Sequence, residues 1–211
     1  KIKCFEEALV SNIFFNVKLA KIVSKTKIFL IQFSTDGVFF GLRGDYIEDD
    51  LRFPKSFYSF TKILGEISNS NTLIIRSSLI GFEKNLEVRS ILSQVKFAPK
   101  NSTIYGFNNY LWNGVTNKVL ADLCKGIILN SYKKESVQHF IPNNYLSKYQ
   151  LLSFLRVILN RRDLQILPKN LKIPVDRRLK TKNLEGNKFF WELSGYSLVP
   201  PIEQIVQDLI G

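Results

Sequence analysis

A tyrosine and a lysine four residues apart, Tyr58 and Lys62 in "YSFTK", carry the most explicit chemistry in this sequence. On a helix, positions i and i+4 share one face, so phenol and ammonium are expected to be neighbours. A free phenol titrates near pH 10 and is a poor acid or base at neutral pH, but an adjacent cation stabilises the phenolate and brings proton transfer within reach. Upstream, Thr35 in "FSTDGVFFG" offers a hydroxyl to the same substrate oxygen.

Such a trio works only if strand and helix bring it together. "KIFLIQF" (27–33) is a short apolar run closed by Ser34, Thr35 and Asp36, as in a buried strand that ends in polar residues. In open α/β sheets that end is where ligands bind. An amphipathic helix is expected over 5–24, with Phe5, Leu9, Ile13, Val17, Ala20 and Val23 on its apolar face. After a polar loop (41–56) come a second helix, "FYSFTKILGEIS", and a second strand, "NTLIIRSSLIG", again ending in hydroxyls, Ser77 and Ser78. Two strands joined by a helix predict a parallel pair with both polar ends on one edge. Beyond Gly81 the pattern predicts helices over 86–96, 114–129 and 146–159, short strands at "SVQHFI" and "LQILP", and a last helix at "PPIEQIVQDLI". The Lys/Arg/Asn-rich segment 172–188 reads as a mobile loop.

Composition bounds the answer. With 45% hydrophobic residues in 211, the chain folds rather than staying disordered. The net charge of +12 comes from residues spread along the chain, dense only in "KIPVDRRLKTK" (172–182), and no RNA-recognition or zinc-finger signature accompanies it. A small anion such as a diphosphate suits that field better than nucleic acid. Cys4 and Cys124 give neither metal-ligand spacing nor a disulfide framework, which points to a reducing, cytoplasmic setting. No apolar run approaches a membrane span. Lys1 is not an initiator methionine, and the first residues already read as helix, so the chain is expected to be the later part of something longer.

The ordered set "STDGVFFGLRGDYIEDD…FYSFTKILGE…LIIRSSLIG" resembles the extended short-chain dehydrogenase/reductases, and within them the dTDP-4-dehydrorhamnose reductase-like enzymes of polysaccharide biosynthesis. The matching positions are Ser34–Gly41, Tyr46–Asp49, Tyr58–Lys62, Gly65-Glu66 and Arg76–Ser78; "LWNGVTNKVLADL", "LSKYQLLSFL" and "VDRRL" extend the likeness. The resemblance implies an α/β fold: a Rossmann-like parallel sheet, N-terminally incomplete, with a smaller α/β substrate-binding lobe. Residues 1–81 would form the second part of the NAD(P)-binding domain. Residues 82–211 would form mainly the substrate lobe, interleaved with the first part around 104–130.

By the same resemblance Tyr58 would protonate a sugar keto oxygen, Lys62 would lower its pKa and hold the nicotinamide ribose, and Thr35 would position the carbonyl. Ser34, Ser77 and Ser78 would approach the NAD or NADP cofactor. Asp36, Val38, Phe39, Trp112, Asn113 and Arg177 would border the nucleotide-sugar substrate, with Arg177 and Arg178 facing its diphosphate or solvent. Asn12 matches a family asparagine linked to proton relay. The sequence departs from the family pattern at Ser59, where the family usually has glycine, at Ser77, which replaces a threonine, and at Gly37, where the rhamnose-forming enzymes carry tyrosine. The glycine-rich turn expected to cradle the cofactor pyrophosphate does not occur, since Gly37, Gly41 and Gly44 follow the catalytic strand and open no helix. His139, the one histidine, lies in an apolar strand and reads as structural; Glu48, Asp49 and Asp50 read as a solvated acidic loop and no metal is expected. The implied activity is NAD(P)H-dependent reduction of a nucleotide-linked 4-keto sugar. An epimerase or dehydratase of the same fold, or a binding module without turnover, is the alternative. A homodimer is left open.

Overall fold

The computed structural model describes residues 2–82, 90–134 and 136–210, with side chains described from residue 5. The first helical segment is not one regular helix. Helix α1 (Ile2–Leu9) runs through a π turn (Val10–Phe14), closed by Phe15 N–H donating to the Val10 carbonyl, into α2 (Phe15–Val23). A π turn inserts an extra residue and rotates everything before it relative to everything after. Of the expected apolar stripe, Ala20 and Val23 are therefore buried, whereas Phe5 and Val17 are 48% and 43% exposed. Phe5 still stacks on Phe57, ring centroids 3.6 Å apart.

Strand β1 (Leu30–Ser34) ends in a short 3₁₀ turn (Asp36–Val38). Helix α3 (Phe57–Leu64) follows, its first turn capped by Ser56, whose hydroxyl accepts from the Ser59 amide. It stops at Gly65 against the π turn, where a Cβ would stand 1.8 Å from the Asn12 carbonyl oxygen, so only glycine allows this backbone-to-backbone approach. Strand β2 (Thr72–Arg76) runs parallel to β1 in a register from Leu30↔Thr72 to Ser34↔Arg76. Both polar ends thus meet on one edge, as the pattern predicts.

The rest of the chain supplies β3 (Leu79–Ile80), α4 (Ile91–Lys96), β4 (Thr103–Phe107), β5 (Tyr110–Trp112), β6 (Val115–Thr116), α5 (Asn117–Leu129), β7 (Ser136–His139), β8 (Leu146–Ser147), α6 (Lys148–Ile158), β9 (Gln165–Lys169), β10 (Val175–Asp176), α7 (Leu184–Leu193) and α8 (Ile202–Ile210). The expected helix at 86–96 begins outside the described residues. The main sheet has the order β1-β2-β7, all parallel. A second sheet, β10-β5-β8, joins a parallel and an antiparallel pair, and β3-β6 and β4-β9 are parallel pairs. The core gathers Leu73 and Ile75 of β2 with Leu123, Phe140, Phe190, Trp191 and Ile205.

One expectation fails. Segment 172–188 is no loose loop: β10 pairs with β5, Thr181 is bonded to Glu48, and α7 begins at Leu184. The apolar residues that bury α7, Phe190 and Trp191, lie past the polar stretch, so composition alone cut the helix in two. Among the described residues no helix is long and apolar enough to cross a membrane.

Candidate functional site

Thr35 caps the turn that follows β1. Its hydroxyl accepts from Gly37 N–H at 3.1 Å and donates to Asp36 Oδ1 at 2.9 Å. Asp36 is buried, and its Oδ2 has no hydrogen-bond partner among the described residues. Burial pushes the Asp36 carboxyl up, and the Arg177 charge, the bond from Thr35 and the nearby Ser78 hydroxyl and Gly37 amide only partly offset it.

Tyr58 and Lys62 lie on α3 above this turn. Lys62 Nζ donates to the Phe33 carbonyl at 2.9 Å, at the end of β1, and the Asp36 charge reaches the Tyr58 phenol. Thr35, Tyr58 and Lys62 therefore share one edge of the sheet. Partial burial, then Asp36, push the phenol up, while Lys62, its own ammonium disfavoured by burial, donates one N–H to Phe33. Tyr58 is a protonated acid at neutral pH. Asn12 sits in the π turn and donates to Thr61 Oγ1 at 3.0 Å, bracing α3 from behind. Two of the departures from the family pattern, Gly37 and Ser59, are neighbours, since a Cβ on Gly37 would lie 3.0 Å from Ser59 Oγ.

Beside this edge opens a cavity of about 230 Å³. It is lined by Asp36 and Ser78, by the aromatic residues Tyr110 and Trp112, and by the cations Lys148 and Arg177. The second sheet builds it. Residues 110 and 112 alternate onto one face of β5, β10 delivers Arg177, and β8 delivers Lys148 as the first residue of α6. Gly41, at φ +79°, lets the Arg177 stem pass, its Cβ position being 3.2 Å from Arg177 Cγ.

Several sequence candidates stand elsewhere. Val38 and Phe39 are buried in a small cluster with Tyr46, Ile141 and Leu179, not beside the cavity, because the turn directs them under the loop. Asn113 is consumed by the Leu179 backbone, accepting from its N–H at 2.8 Å and donating to its carbonyl at 2.7 Å. Ser34 lies buried beside Glu66, and the Ser77 hydroxyl donates to the Ser78 carbonyl at 3.3 Å. Arg178 is neither solvated nor in the cavity: it pairs with Asp176 at 2.7 Å and covers the Tyr145 ring. His139 is buried with Nδ1 2.6 Å from the Lys180 carbonyl, and burial holds it neutral. The acidic loop is not simply solvated. Glu48 is buried and accepts from Thr181, the His139 amide and the Lys182 amide, whereas Asp49 pairs with Lys182 and Asp50 with Arg43.

Sequence reasoning missed Tyr110 and Lys148. The available signal was a lysine placed directly after a Ser147 cap in a polar-to-apolar junction, but its direction depends on the β5–β8 pairing, which no local pattern contains.

Three solved structures show the fold. The chain is 19% identical to a dTDP-4-dehydrorhamnose reductase from Bacillus anthracis in complex with NADP, covering 98% of this chain and 73% of that one with a TM-score of 0.75. A dTDP-4-dehydrorhamnose reductase from Clostridium acetobutylicum gives 19% identity, 99% and 75% coverage and a TM-score of 0.72. A dTDP-glucose 4,6-dehydratase from Bacillus anthracis in complex with NAD gives 20%, 96% and 67%, with a TM-score of 0.66. No curated protein matches the chain in sequence. The fold is thus the Rossmann-like α/β fold shared by these enzymes. A family model, described as the RmlD substrate binding domain, matches residues 5–168 and so takes in the Thr35 turn, α3, the aromatic wall and Lys148. The chain belongs to the RmlD substrate-binding-domain family.

Proposed function

We propose that the protein is a nicotinamide-dependent reductase of a nucleotide-linked 4-keto sugar, serving polysaccharide or deoxysugar biosynthesis in the cytoplasm. One observation carries this reading: Thr35, Tyr58 and Lys62 converge on the carboxyl edge of the parallel sheet, next to a cavity lined by aromatic and polar residues. Family membership and the likeness to reductases support it.

The chain's own residues divide the work. Tyr58, its phenol pushed up by partial burial and by Asp36, is the acid that donates to the carbonyl oxygen as charge develops there. Thr35 orients that oxygen, and must turn its O–H away from Asp36 to do so. Lys62 spends one N–H on Phe33 and keeps two donors for ribose hydroxyls, a donor set that fits NAD or NADP. The bound nicotinamide supplies hydride. The Tyr110–Trp112 wall suits the apolar face of a sugar ring.

Tyr58→Phe tests the reading. Reduction of dTDP- or UDP-linked 4-keto sugars, followed with NADH and with NADPH, should fall by about 10³-fold, while sugar-nucleotide affinity stays nearly unchanged. Binding of the sugar nucleotide without reduction by the wild type would overturn it in favour of a binding module. A changed sugar configuration without net consumption of reduced cofactor would overturn it in favour of an epimerase, which the same Thr-Tyr-Lys set can serve.

A further inference from the structure

The outer side of α2 and the turn after it carry a charge that the fold leaves unanswered. Lys18, Lys21, Lys25 and Lys27 follow one another closely, and the sequence holds no Asp or Glu between Glu7 and Asp36. All four lysines are exposed, and none makes a side-chain hydrogen bond or ion pair to a described residue. The one acid on the segment packed against α2, Glu66, is taken by Arg76 and Arg52. Lysines near a helix C-terminus ordinarily serve its open carbonyls. Here side-chain amides do so: Asn69 Nδ2 donates to the Ala20 carbonyl at 3.3 Å, and Asn71 Nδ2 to the Val23 and Thr26 carbonyls at 2.9 and 3.0 Å. The same bonds fix the turn that presents Lys25 and Lys27.

Large apolar side chains stand among these lysines. Phe14, Val17, Ile22 and Ile28 are each 43–64% exposed. Ala20 and Val23 bury the inner side of α2, so helical periodicity places Phe14, Val17, Lys18, Lys21 and Ile22 on the outer one. An exposed apolar strip interleaved with unpaired cations marks an interaction surface. A nucleic-acid backbone would engage the lysines and leave the apolar groups in water. A protein partner is met by an apolar centre from which lysine is depleted, whereas here lysines occupy the middle of the strip. A bilayer interface takes both kinds of group at once: apolar side chains enter the boundary between headgroups and acyl chains, while lysine stems lie along it and their ammonium groups reach the phosphates.

We propose that α2 and the turn through residue 28 form a docking surface for an anionic lipid bilayer, which the protein touches without crossing. Phe14, Val17, Ile22 and Ile28 enter the headgroup region, and Lys18, Lys21, Lys25 and Lys27 pair with its anionic groups. Ile28 precedes the first residue of β1, whereas Thr35 follows the last. Docking therefore leaves the candidate site at the opposite end of the strand, free to take a water-borne ligand.

The test is co-sedimentation of the full chain with vesicles of phosphatidylcholine alone and of phosphatidylcholine mixed with phosphatidylserine, each variant being checked by thermal unfolding. The wild type should bind the mixed vesicles, release them at high salt, and bind phosphatidylcholine alone at least about 10-fold more weakly. The triple change Lys18→Gln, Lys21→Gln and Lys25→Gln should weaken binding by about 100-fold, roughly fivefold per lysine, and the same three positions changed to Arg should retain it. Val17→Gln with Ile22→Gln should weaken it by about 10-fold. No binding of the wild type to the mixed vesicles, or equal binding by the glutamine variants, overturns the surface. Binding that depends on the lysines but not on Val17 and Ile22 also overturns it, leaving a patch for soluble polyanions. Self-association of the chain that Val17→Gln with Ile22→Gln abolishes, without vesicle binding, assigns the strip to a second copy and overturns the lipid reading.

Discussion

At the scale of single residues, Gly37 and Ser59 form a matched pair that neither position explains alone. The turn after β1 presses Gly37 against Ser59, leaving 3.0 Å for a Cβ. Gly37→Ala should cost about 1 kcal/mol through overpacking. Adding Ser59→Ala, which removes the touched oxygen, should recover most of it, and a double-mutant cycle by urea denaturation measures the coupling. Additive losses would show that the two side chains do not meet. Both departures were legible in the sequence as isolated oddities. Their contact was not, because they are separated by the loop 41–56 and meet only once α3 lies over the turn.

At the scale of elements, the position of α3 is fixed from both ends. Its C-terminal glycine lets it abut the π turn, and Glu66 just beyond is locked to β2 by Arg76, with Nε to Oε1 at 2.9 Å and Nη2 to Oε2 at 2.8 Å. Both side chains are nearly fully buried, and Arg76 also donates to the Glu48 carbonyl at 2.9 Å. Removing one partner strands a buried charge, so Glu66→Ala should destabilise by about 3–5 kcal/mol. The pH dependence follows from the same pair. Burial raises the Glu66 carboxyl, but Arg76 more than offsets it, so the folded value lies below the ordinary 4.5. The stabilisation is complete above pH 4.5 and is lost as pH falls through the lower folded value. Urea midpoints measured down through this range should decline in the wild type and decline less steeply in Glu66→Gln.

At the scale of the whole molecule, Glu48 ties three distant stretches together. It accepts from Thr181 Oγ1 at 2.6 Å, the His139 amide at 2.9 Å and the Lys182 amide at 3.0 Å, so the acidic loop, the main sheet and the segment carrying Arg177 share one buried carboxylate. Glu48→Ala should leave two buried amides unpaired, at about 1–3 kcal/mol each. Amide exchange at Lys182 should accelerate, and sugar-nucleotide affinity should drop, because the 176–182 segment no longer holds Arg177 against the cavity. Unchanged exchange at Lys182 would mean that Asn113 and β10 hold the segment without Glu48.

The sequence by itself determined what local pattern can encode: a parallel pair of strands with hydroxyls at their ends, a helix bearing Tyr58 and Lys62 on one face, and a basic charge suited to an anionic ligand. Those features depend on periodicity and residue chemistry within a few turns of chain. Tertiary structure alone decided the rest. The π turn shifted the face of the first helix, since one inserted backbone residue leaves no trace in the apolar spacing. Partial burial and the buried Asp36 push the Tyr58 phenol up, an effect that depends on the turn after β1 lying under α3. Lys148 and Arg177 became neighbours only through the pairing of β10 and β8 on either side of β5, a contact between segments that no short-range pattern relates.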